Sequence, residues 1–146
     1  MTNFLGQIYY CLHAIFKGVF MNHRIINDTE APKAVGTYSQ GAEAAGFHFF
    51  SGQIGLNPKT MEMGQTFDEQ LSYIMNNIDA LLKGAKLERS HIMKSTVFLT
   101  DLANFTKVNQ AYEAYFKAPY PARSTVEVKG LPKGALVEIE IVAFKK

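Results

Sequence analysis

Three side chains stand out because together they could bind a small carboxylic acid and activate a water molecule. Arg123 lies on a predicted strand, Glu138 lies on the strand that follows, and Tyr38 lies in a glycine-rich stretch before the first helix. A guanidinium can hold a planar carboxylate by two parallel, charge-assisted hydrogen bonds, which lysine cannot reproduce. A nearby carboxylate or phenol can hold a water molecule or transfer a proton. These residue types therefore suit a site that binds a small carboxylic acid and holds a water molecule beside it.

The same residues also have ordinary structural interpretations. An arginine on a strand is most often a solvated or ion-paired surface residue. Glu138 and Glu140 suit the wet face of an edge strand, and Tyr38 suits a turn with its hydroxyl in water. Asn109 suits the exposed face of a helix. Residue types alone leave both interpretations open, so the choice depends on the elements that carry these residues.

Length and composition favour one domain and exclude several kinds of site. The chain has 146 residues, of which 47% are apolar and 19% are charged, so it can bury a sizeable core. The net charge of +2 is too small and too dispersed to predict nucleic-acid binding. A single cysteine, Cys11, excludes a disulfide scaffold. No metal site is expected, because the histidines are scattered: His13, His23, His48 and His91.

The first twenty residues form an apolar extension that differs from the rest of the chain. Residues 4–20 are mostly apolar, but no basic residue precedes them, as a secretory signal would require, and the run is short for a membrane span. Its larger apolar residues have helical spacing, which is compatible with an amphipathic helix. The alternative is that the true start is Met21. We therefore separate residues 1–20 from a domain over residues 21–146, and we expect a cytoplasmic protein without a membrane partner.

The stretch between Met21 and the first helix is predicted to be β-rich. Strands are indicated at residues 23–26 and 47–50, where branched or aromatic residues cluster. Between them, Pro32 and several glycines are typical of turns, and Ser51-Gly52-Gln53 is interpreted as a further turn.

The first helix has a marked start and a continuous apolar stripe. Thr66 can cap it, and Glu69 can complete a capping box. The stripe should cover one face of a sheet and consists of Phe67, Leu71, Ile74, Ile78, Leu81 and Leu82. The later run over residues 92–99 is rich in branched and aromatic residues and is predicted to be a central strand.

A second helix and two further strands complete the domain. The helix is predicted from about Leu102, with Asp101 or Asn104 as its cap, and the strands cover residues 122–128 and 135–144. The order β-β-helix-β-helix-β-β predicts an α+β domain with both helices on one face of a mixed sheet. The opposite face is half apolar, so we expect an oligomer.

A set of short segments resembles the RidA/YjgF family in order and spacing, from Met21 to Lys146. The most specific combination is Pro121-Ala122-Arg123-Ser124, followed by Leu131-Pro132-Lys133 and then Glu138-Ile139-Glu140. The remaining segments are residues 31–41, 50–54, 57–60 and 97–102, together with Val108-Asn109 and Tyr112-Glu113.

The resemblance implies a chorismate-mutase-like fold, assembled as a homotrimer with clefts between neighbouring subunits. It also implies hydrolysis of reactive 2-imino acids and enamines, such as 2-aminoacrylate from pyridoxal-phosphate enzymes, to 2-keto acids and ammonia without a cofactor. Arg123 matches the family's essential arginine, with Glu138 and Tyr38 as candidate catalytic partners. Thr125 stands where cysteine is common in similar bacterial members. The substrate-binding positions carried over are Arg123, Thr125, Ser51, Gly52 and Asn109.

Three other functions are weighed against imine hydrolysis. A trimer of this kind could bind a keto acid or an amino acid through Arg123 without turnover and act as a regulator. Endoribonuclease or translation-inhibitor activity is attributed to some family members, but this sequence has no basic stripe with interleaved aromatic residues and no His/Lys pair placed for phosphodiester cleavage. A chaperone-like role through exposed apolar surface is the third.

Overall fold

The computed structural model describes residues 23–146, which form a six-stranded sheet and two α-helices. The predicted apolar extension over residues 1–20 lies outside the described residues. Within residues 23–146, no helix is both long enough and apolar enough to cross a membrane. The strands are β1 (Arg24–Ile26), β2 (Gly41–Ala44), β3 (Phe47–Ile54), β4 (Ile92–Leu99), β5 (Ala122–Glu127) and β6 (Val137–Phe144). The helices are α1 (Phe67–Gly84) and α2 (Phe105–Tyr115).

Helix α1 forms where every local signal agrees. The Thr66 hydroxyl accepts a hydrogen bond from the backbone N–H of Glu69, and the Glu69 carboxylate accepts one from the backbone N–H of Thr66. This reciprocal pair satisfies two donors that a helix start leaves unpaired, and it confirms the predicted capping box. All six residues of the predicted apolar stripe are buried. The stripe covers one face of the sheet, as predicted.

Helix α2 begins later than the sequence predicts. Leu102–Asn104 forms a short 3-10 turn, in which the Asp101 side chain accepts a hydrogen bond from the backbone N–H of Ala103. Asn104 occupies the cap position of α2 without a side-chain hydrogen bond. Asp101 therefore caps the turn and not the helix, and α2 proper starts at Phe105.

The sheet is mixed, with the strand order β1-β2-β3-β6-β4-β5. Strands β4 and β5 run parallel and are joined through α2, whereas every other neighbouring pair is antiparallel. The last strand in the sequence, β6, lies between β3 and β4. The predicted α+β fold with a mixed sheet is confirmed, and β6 becomes the strand that connects its two halves.

Two segments that the sequence predicts to be turns are strands. Gly41–Ala44 forms β2, which pairs with β1 on one side and β3 on the other. Ser51-Gly52-Gln53 lies inside β3, where the pairing with β6 shifts register between Phe50 and Gln53. Glycine and serine have little strand propensity, so pairing with neighbouring strands decides the structure in both places.

The core lies between the helices and one face of the sheet. Alternate residues of β6, including Val137 and Ile139, belong to this core, and so do Val97 and Leu99 of β4. The predicted alternation along β6 is confirmed, and both helices pack on this one face.

The other face of the sheet, here called the open face, carries exposed apolar side chains. Phe49 of β3 is 52% exposed, and Ile25, its neighbour across β2, is 43% exposed. Phe47 and Val126 are exposed to a similar extent. Exposed apolar side chains of this kind are typical of an interface with another chain.

Candidate active site

Arg123 lies on the helix-facing side of the sheet. In the pairing of β4 with β5 it is the direct neighbour of Ser95, which is buried beneath α2. Thr125 and Glu127 are neighbours of buried residues of β4 in the same way, so they share this face, whereas Ser124 faces the open side. The predicted grouping of these β5 residues is confirmed, and the grouped face is the one beside α2.

Helix α2 holds the Arg123 guanidinium through side chains on one of its faces. Arg123 Nη2 donates a hydrogen bond to Asn109 Oδ1 at 2.5 Å. Its Cζ atom lies 4.7 Å from the centroid of the Tyr112 ring and 5.5 Å from that of Phe105. These three helix residues have the spacing of a single helical face. The predicted substrate-binding residues Arg123 and Asn109 are therefore in direct contact.

Arg123 has no carboxylate partner among residues 23–146. The other two arginines of the chain each form an ion pair: Arg24 with Glu43, and Arg89 with Asp79. Of the two arginines on strands, the ion-paired interpretation therefore applies to Arg24 of β1 and, among residues 23–146, not to Arg123 of β5. Its remaining N–H groups make no hydrogen bond within residues 23–146 and can bind an anionic ligand.

A cleft of about 520 Å³ opens beside the guanidinium. This volume is within the usual range for small-molecule sites. Its lining holds one cation, Arg123, and one carboxylate, Glu113, so an anionic group that enters the cleft is favoured on the side of the guanidinium. The lining consists of Asn109, Tyr112, Glu113, Tyr120, Pro121 and Arg123.

Sequence reasoning missed two residues behind Arg123. The Tyr112 hydroxyl donates a hydrogen bond to Ser95 Oγ at 3.1 Å, and the two residues are only 7% and 1% exposed. Burial raises the pKa of Tyr112 above its ordinary value, so the hydroxyl stays protonated and donates. The signal that could have found the pair is a serine that alternates with Val97 and Leu99 along the central strand, on the face that is otherwise aliphatic.

Thr125 follows Arg123 on the same face of β5 but does not line the cleft. It pairs with Val97 of β4, and its hydroxyl oxygen is buried without a hydrogen-bond partner among residues 23–146. The structure therefore brings Thr125 close to Arg123, with its hydroxyl buried and outside the lining of the cleft.

Glu138 and Gly52 form a second group on the open face. Glu138 alternates with buried residues of β6, and its carboxylate lies against Gly52 in the irregular part of β3. A Cβ atom added at Gly52 would overlap that carboxylate. Glycine at this position therefore makes the room that the Glu138 side chain occupies.

Tyr38 and Ser51 complete this second group. Tyr38 is 53% exposed and, with Gly52, lines a cleft of about 300 Å³. The Ser51 hydroxyl donates a hydrogen bond to the carbonyl oxygen of Ser39 at 2.7 Å. Ser51 therefore anchors the segment that carries Tyr38, whose hydroxyl accepts a hydrogen bond from the backbone N–H of Val35 at 3.3 Å.

Partial burial raises the pKa of Glu138, and the neighbouring Glu140 carboxylate raises it further. A carboxylate whose pKa lies above the ordinary glutamate value is a stronger base and accepts a proton from water more readily. Glu138 is therefore better suited to proton transfer than an ordinary surface glutamate.

The raised pKa predicts a particular pH dependence of stability. The folded chain binds the Glu138 proton more tightly than the unfolded chain, so protonation of Glu138 stabilises the fold. This stabilisation is fully present at low pH, below the pKa of the unfolded chain, and is lost as the pH rises through the raised pKa of the folded chain. As the pH rises from the pKa of Glu138 in the unfolded chain to its raised pKa in the folded chain, the free energy of unfolding of the wild type should fall relative to that of the Glu138→Gln variant. Urea denaturation of both proteins at a series of pH values measures the difference, and curves that stay parallel would contradict the shift.

Within one chain the sheet separates Arg123 from Glu138. Arg123 is on the face covered by α2, and Glu138 is on the open face with Gly52, which lines the same cleft as Tyr38. The predicted site residues thus form two groups, each next to its own cleft. A site that uses both groups needs residues from two copies of the chain.

Residues 28–145 match a family model described as Endoribonuclease L-PSP, which is the model of the RidA/YjgF/RutC proteins. The chain belongs to the RidA/YjgF family. The resemblance inferred from the short segments is confirmed. The match also includes every predicted site residue, from Tyr38 to Glu138.

Named relatives of this RidA/YjgF family member match over most of its length. A RutC family protein of Aquifex aeolicus (strain VF5) is 50% identical over 124 residues, which cover 84% of this chain and 99% of the relative. Reactive Intermediate Deaminase A, chloroplastic, of Arabidopsis thaliana is 39% identical over 120 residues, which cover 82% and 64% of the two chains. The crystal structure of E. coli TdcF with bound serine matches with a TM-score of 0.81 and 38% identity, covering 84% and 99%.

Proposed function

We propose that this protein hydrolyses 2-imino acids to 2-keto acids and ammonia, acting as a 2-iminobutanoate/2-iminopropanoate deaminase. The observation that carries the proposal is the Arg123 guanidinium, which lines an open cleft and has no carboxylate partner among residues 23–146. A planar cation held in this way is suited to a planar carboxylate. The likeness to the Arabidopsis deaminase supports the same activity.

The proposed reaction uses the two groups of residues on the two ends of the substrate. Arg123 binds the carboxylate and so places the adjacent C=N carbon for attack. Water adds to that carbon while Glu138 accepts one of its protons and passes it to the nitrogen. The resulting carbinolamine expels ammonia as its hydroxyl proton moves to nitrogen and the C=O bond forms. Both hydrogens of the water thus end on the ammonia, and no cofactor takes part.

We further propose that the working site lies between subunits of a homotrimer. Arg123 and Asn109 would come from one subunit, and Glu138 and Tyr38 from its neighbour. The placement of the two groups on opposite faces of the sheet supports this arrangement. The exposed apolar side chains of the open face, which need a covering surface, support it as well.

A coupled assay tests the proposed activity. A threonine dehydratase or an amino-acid oxidase generates the imino acid, and keto-acid and ammonia formation are followed with and without the protein. The rate should increase in proportion to protein concentration until the generating enzyme limits it. An unchanged rate with imino acids of small, uncharged side chains from both sources would reject the proposal.

Replacing Gly52 with alanine is expected to lower kcat/KM by about tenfold to a hundredfold, because the new Cβ displaces the Glu138 carboxylate. The backbone of Gly52 lies outside the left-handed region, so alanine itself is tolerated. The matched control is Gly130→Ala, since nothing lies within 4 Å of a Cβ added there. Equal activity of the two alanine variants would show that the position of Glu138 does not matter.

A second candidate function is binding of an amino acid or keto acid without turnover. The observation that favours it is the serine in the similar E. coli TdcF structure, which matches nearly the whole length of that chain. Calorimetric titration with serine and with 2-oxobutanoate measures such binding. Binding that depends on Arg123, together with no acceleration of imine hydrolysis, would favour this function over the first.

A further inference from the structure

We propose that Ser95 and Tyr112 are a positioning pair for Arg123: the hydrogen bond between them fixes the aromatic ring against which the guanidinium lies. The inference rests on the proposed function, in which Arg123 binds the substrate carboxylate. Ser95 and Tyr112 act through Arg123 and do not need to touch the substrate.

The three side chains meet beneath α2 because of the strand register. Ser95 and Arg123 are paired residues of β4 and β5, so their side chains leave the sheet side by side on the same face. The Tyr112 side chain extends from α2 toward the sheet and contacts both Ser95 and Arg123. Its hydroxyl donates to Ser95 Oγ at 3.1 Å, and its ring centroid lies 4.7 Å from Arg123 Cζ. The ring is thus held at one end by the helix backbone and at the other by the serine.

Core packing alone does not account for Ser95. The next residues on the same face of β4, Val97 and Leu99, are aliphatic and fully buried, and Ser95 is as buried as they are. A buried hydroxyl is unfavourable unless it is hydrogen-bonded, and an aliphatic residue would fill this position without that requirement. The requirement is met here by one partner, Tyr112, which is also the residue that supports Arg123.

Three contacts then define how the guanidinium is presented. It lies against the Tyr112 ring, with the Phe105 ring farther away, and Asn109 accepts a hydrogen bond from Nη2. Nε, Nη1 and the second N–H of Nη2 make no hydrogen bond within residues 23–146. A carboxylate can therefore pair with Nη2 together with either Nε or Nη1 while the guanidinium stays against the ring. A guanidinium that is already oriented loses less conformational entropy when it binds the carboxylate.

Removing the ring should have a larger effect than removing the hydroxyl. Tyr112→Leu loses the cation–π contact and should lower kcat/KM by about tenfold. Tyr112→Phe keeps the ring but loses its anchor, and about a threefold decrease is expected. Ser95→Ala removes the same hydrogen bond and should match Tyr112→Phe, and the double variant should be no worse than either single one.

The decrease in kcat/KM of the Tyr112 variants should come mainly from a higher KM, because Arg123 holds the carboxylate both in the substrate complex and in the transition state. A binding measurement without turnover should therefore also detect weaker binding. The Kd for 2-oxobutanoate, measured by calorimetry, should rise by the same factors as KM in Tyr112→Leu and Tyr112→Phe.

Tyr115 provides the matched control on the same helix. It is also buried, and its hydroxyl donates a hydrogen bond to Asp79 at 2.7 Å, but its ring lies against Arg89 instead of Arg123. Tyr115→Phe should lower Tm at least as much as Tyr112→Phe. It should leave kcat/KM and the Kd for 2-oxobutanoate unchanged, because it does not support Arg123.

Equal losses of activity in Tyr112→Phe and Tyr115→Phe would overturn the positioning role, and so would an unchanged Kd in Tyr112→Leu. If Tyr112→Leu does not fold, Tyr112→Phe and Ser95→Ala carry the test. Failure of the proposed function has a different outcome, since Arg123→Ala would then hydrolyse imines at the wild-type rate. Failure of the positioning role alone leaves Arg123→Ala inactive and the Tyr112 variants normal.

Discussion

Replacing Arg123 with alanine is expected to lower kcat/KM for 2-iminobutanoate hydrolysis by about a hundredfold or more. The variant loses the cation of the cleft and, with it, the two parallel hydrogen bonds that orient the carboxylate beside the reacting carbon. Imines also hydrolyse without a catalyst, so the rate should approach the background rate and not zero. The coupled keto-acid assay with the uncatalysed rate subtracted measures the decrease.

Two further arginine variants sharpen this test. Arg24→Ala removes an arginine that is already paired with Glu43, so it should leave the activity unchanged. Arg123→Lys keeps the charge but loses the planar pair of donors, so its activity should lie between those of the wild type and Arg123→Ala. Wild-type activity in Arg123→Ala would exclude Arg123 from the reaction, whatever the controls show.

Mixing two inactive variants is expected to restore activity. Glu138→Gln should lose about a hundredfold in kcat/KM, because it removes the group that accepts a proton from water. If each site combines Arg123 of one subunit with Glu138 of its neighbour, oligomers assembled from Arg123→Ala and Glu138→Gln chains contain some intact sites. With random assembly in equal amounts, about a quarter of the sites carry both native residues, so about a quarter of the wild-type activity should return.

The restoration distinguishes a shared site from a site within one chain. The two variants are unfolded together and refolded, and native mass spectrometry establishes that mixed oligomers have formed. Each variant refolded alone serves as the control and should stay inactive. Mixed oligomers that stay inactive would show that Arg123 and Glu138 do not act together across a subunit boundary.

The parts of the fold that could be predicted are those in which local signals agree with each other. The capping box of Thr66 and Glu69 and the apolar stripe behind it predict α1, because both depend on residues within a few positions of each other. Strand β6 was predictable for the same reason, since its alternation of buried and accessible residues has a simple period.

The parts that could not be predicted depend on partners outside their own segment. Gly41–Ala44 and the β3 residues around Gly52 have the composition of turns and become strands only because neighbouring strands pair with them. The 3-10 turn of Leu102–Asn104 delays the start of α2, since Asp101 caps that turn first. The Ser95–Tyr112 hydrogen bond joins a strand to a helix, and neither local pattern indicates it.

By itself, the sequence determined the family and the residues to examine, because Arg123, Glu138 and their neighbours form a specific set of short segments that can be recognised without coordinates. It did not determine which face of the sheet each residue occupies, since strand order and register are set by pairing between distant segments. The tertiary structure placed Arg123 under α2 without an acidic partner among residues 23–146, and Glu138 on the opposite face. Side chains on opposite faces of one sheet cannot meet within a chain, and for this reason the proposed site requires a second subunit.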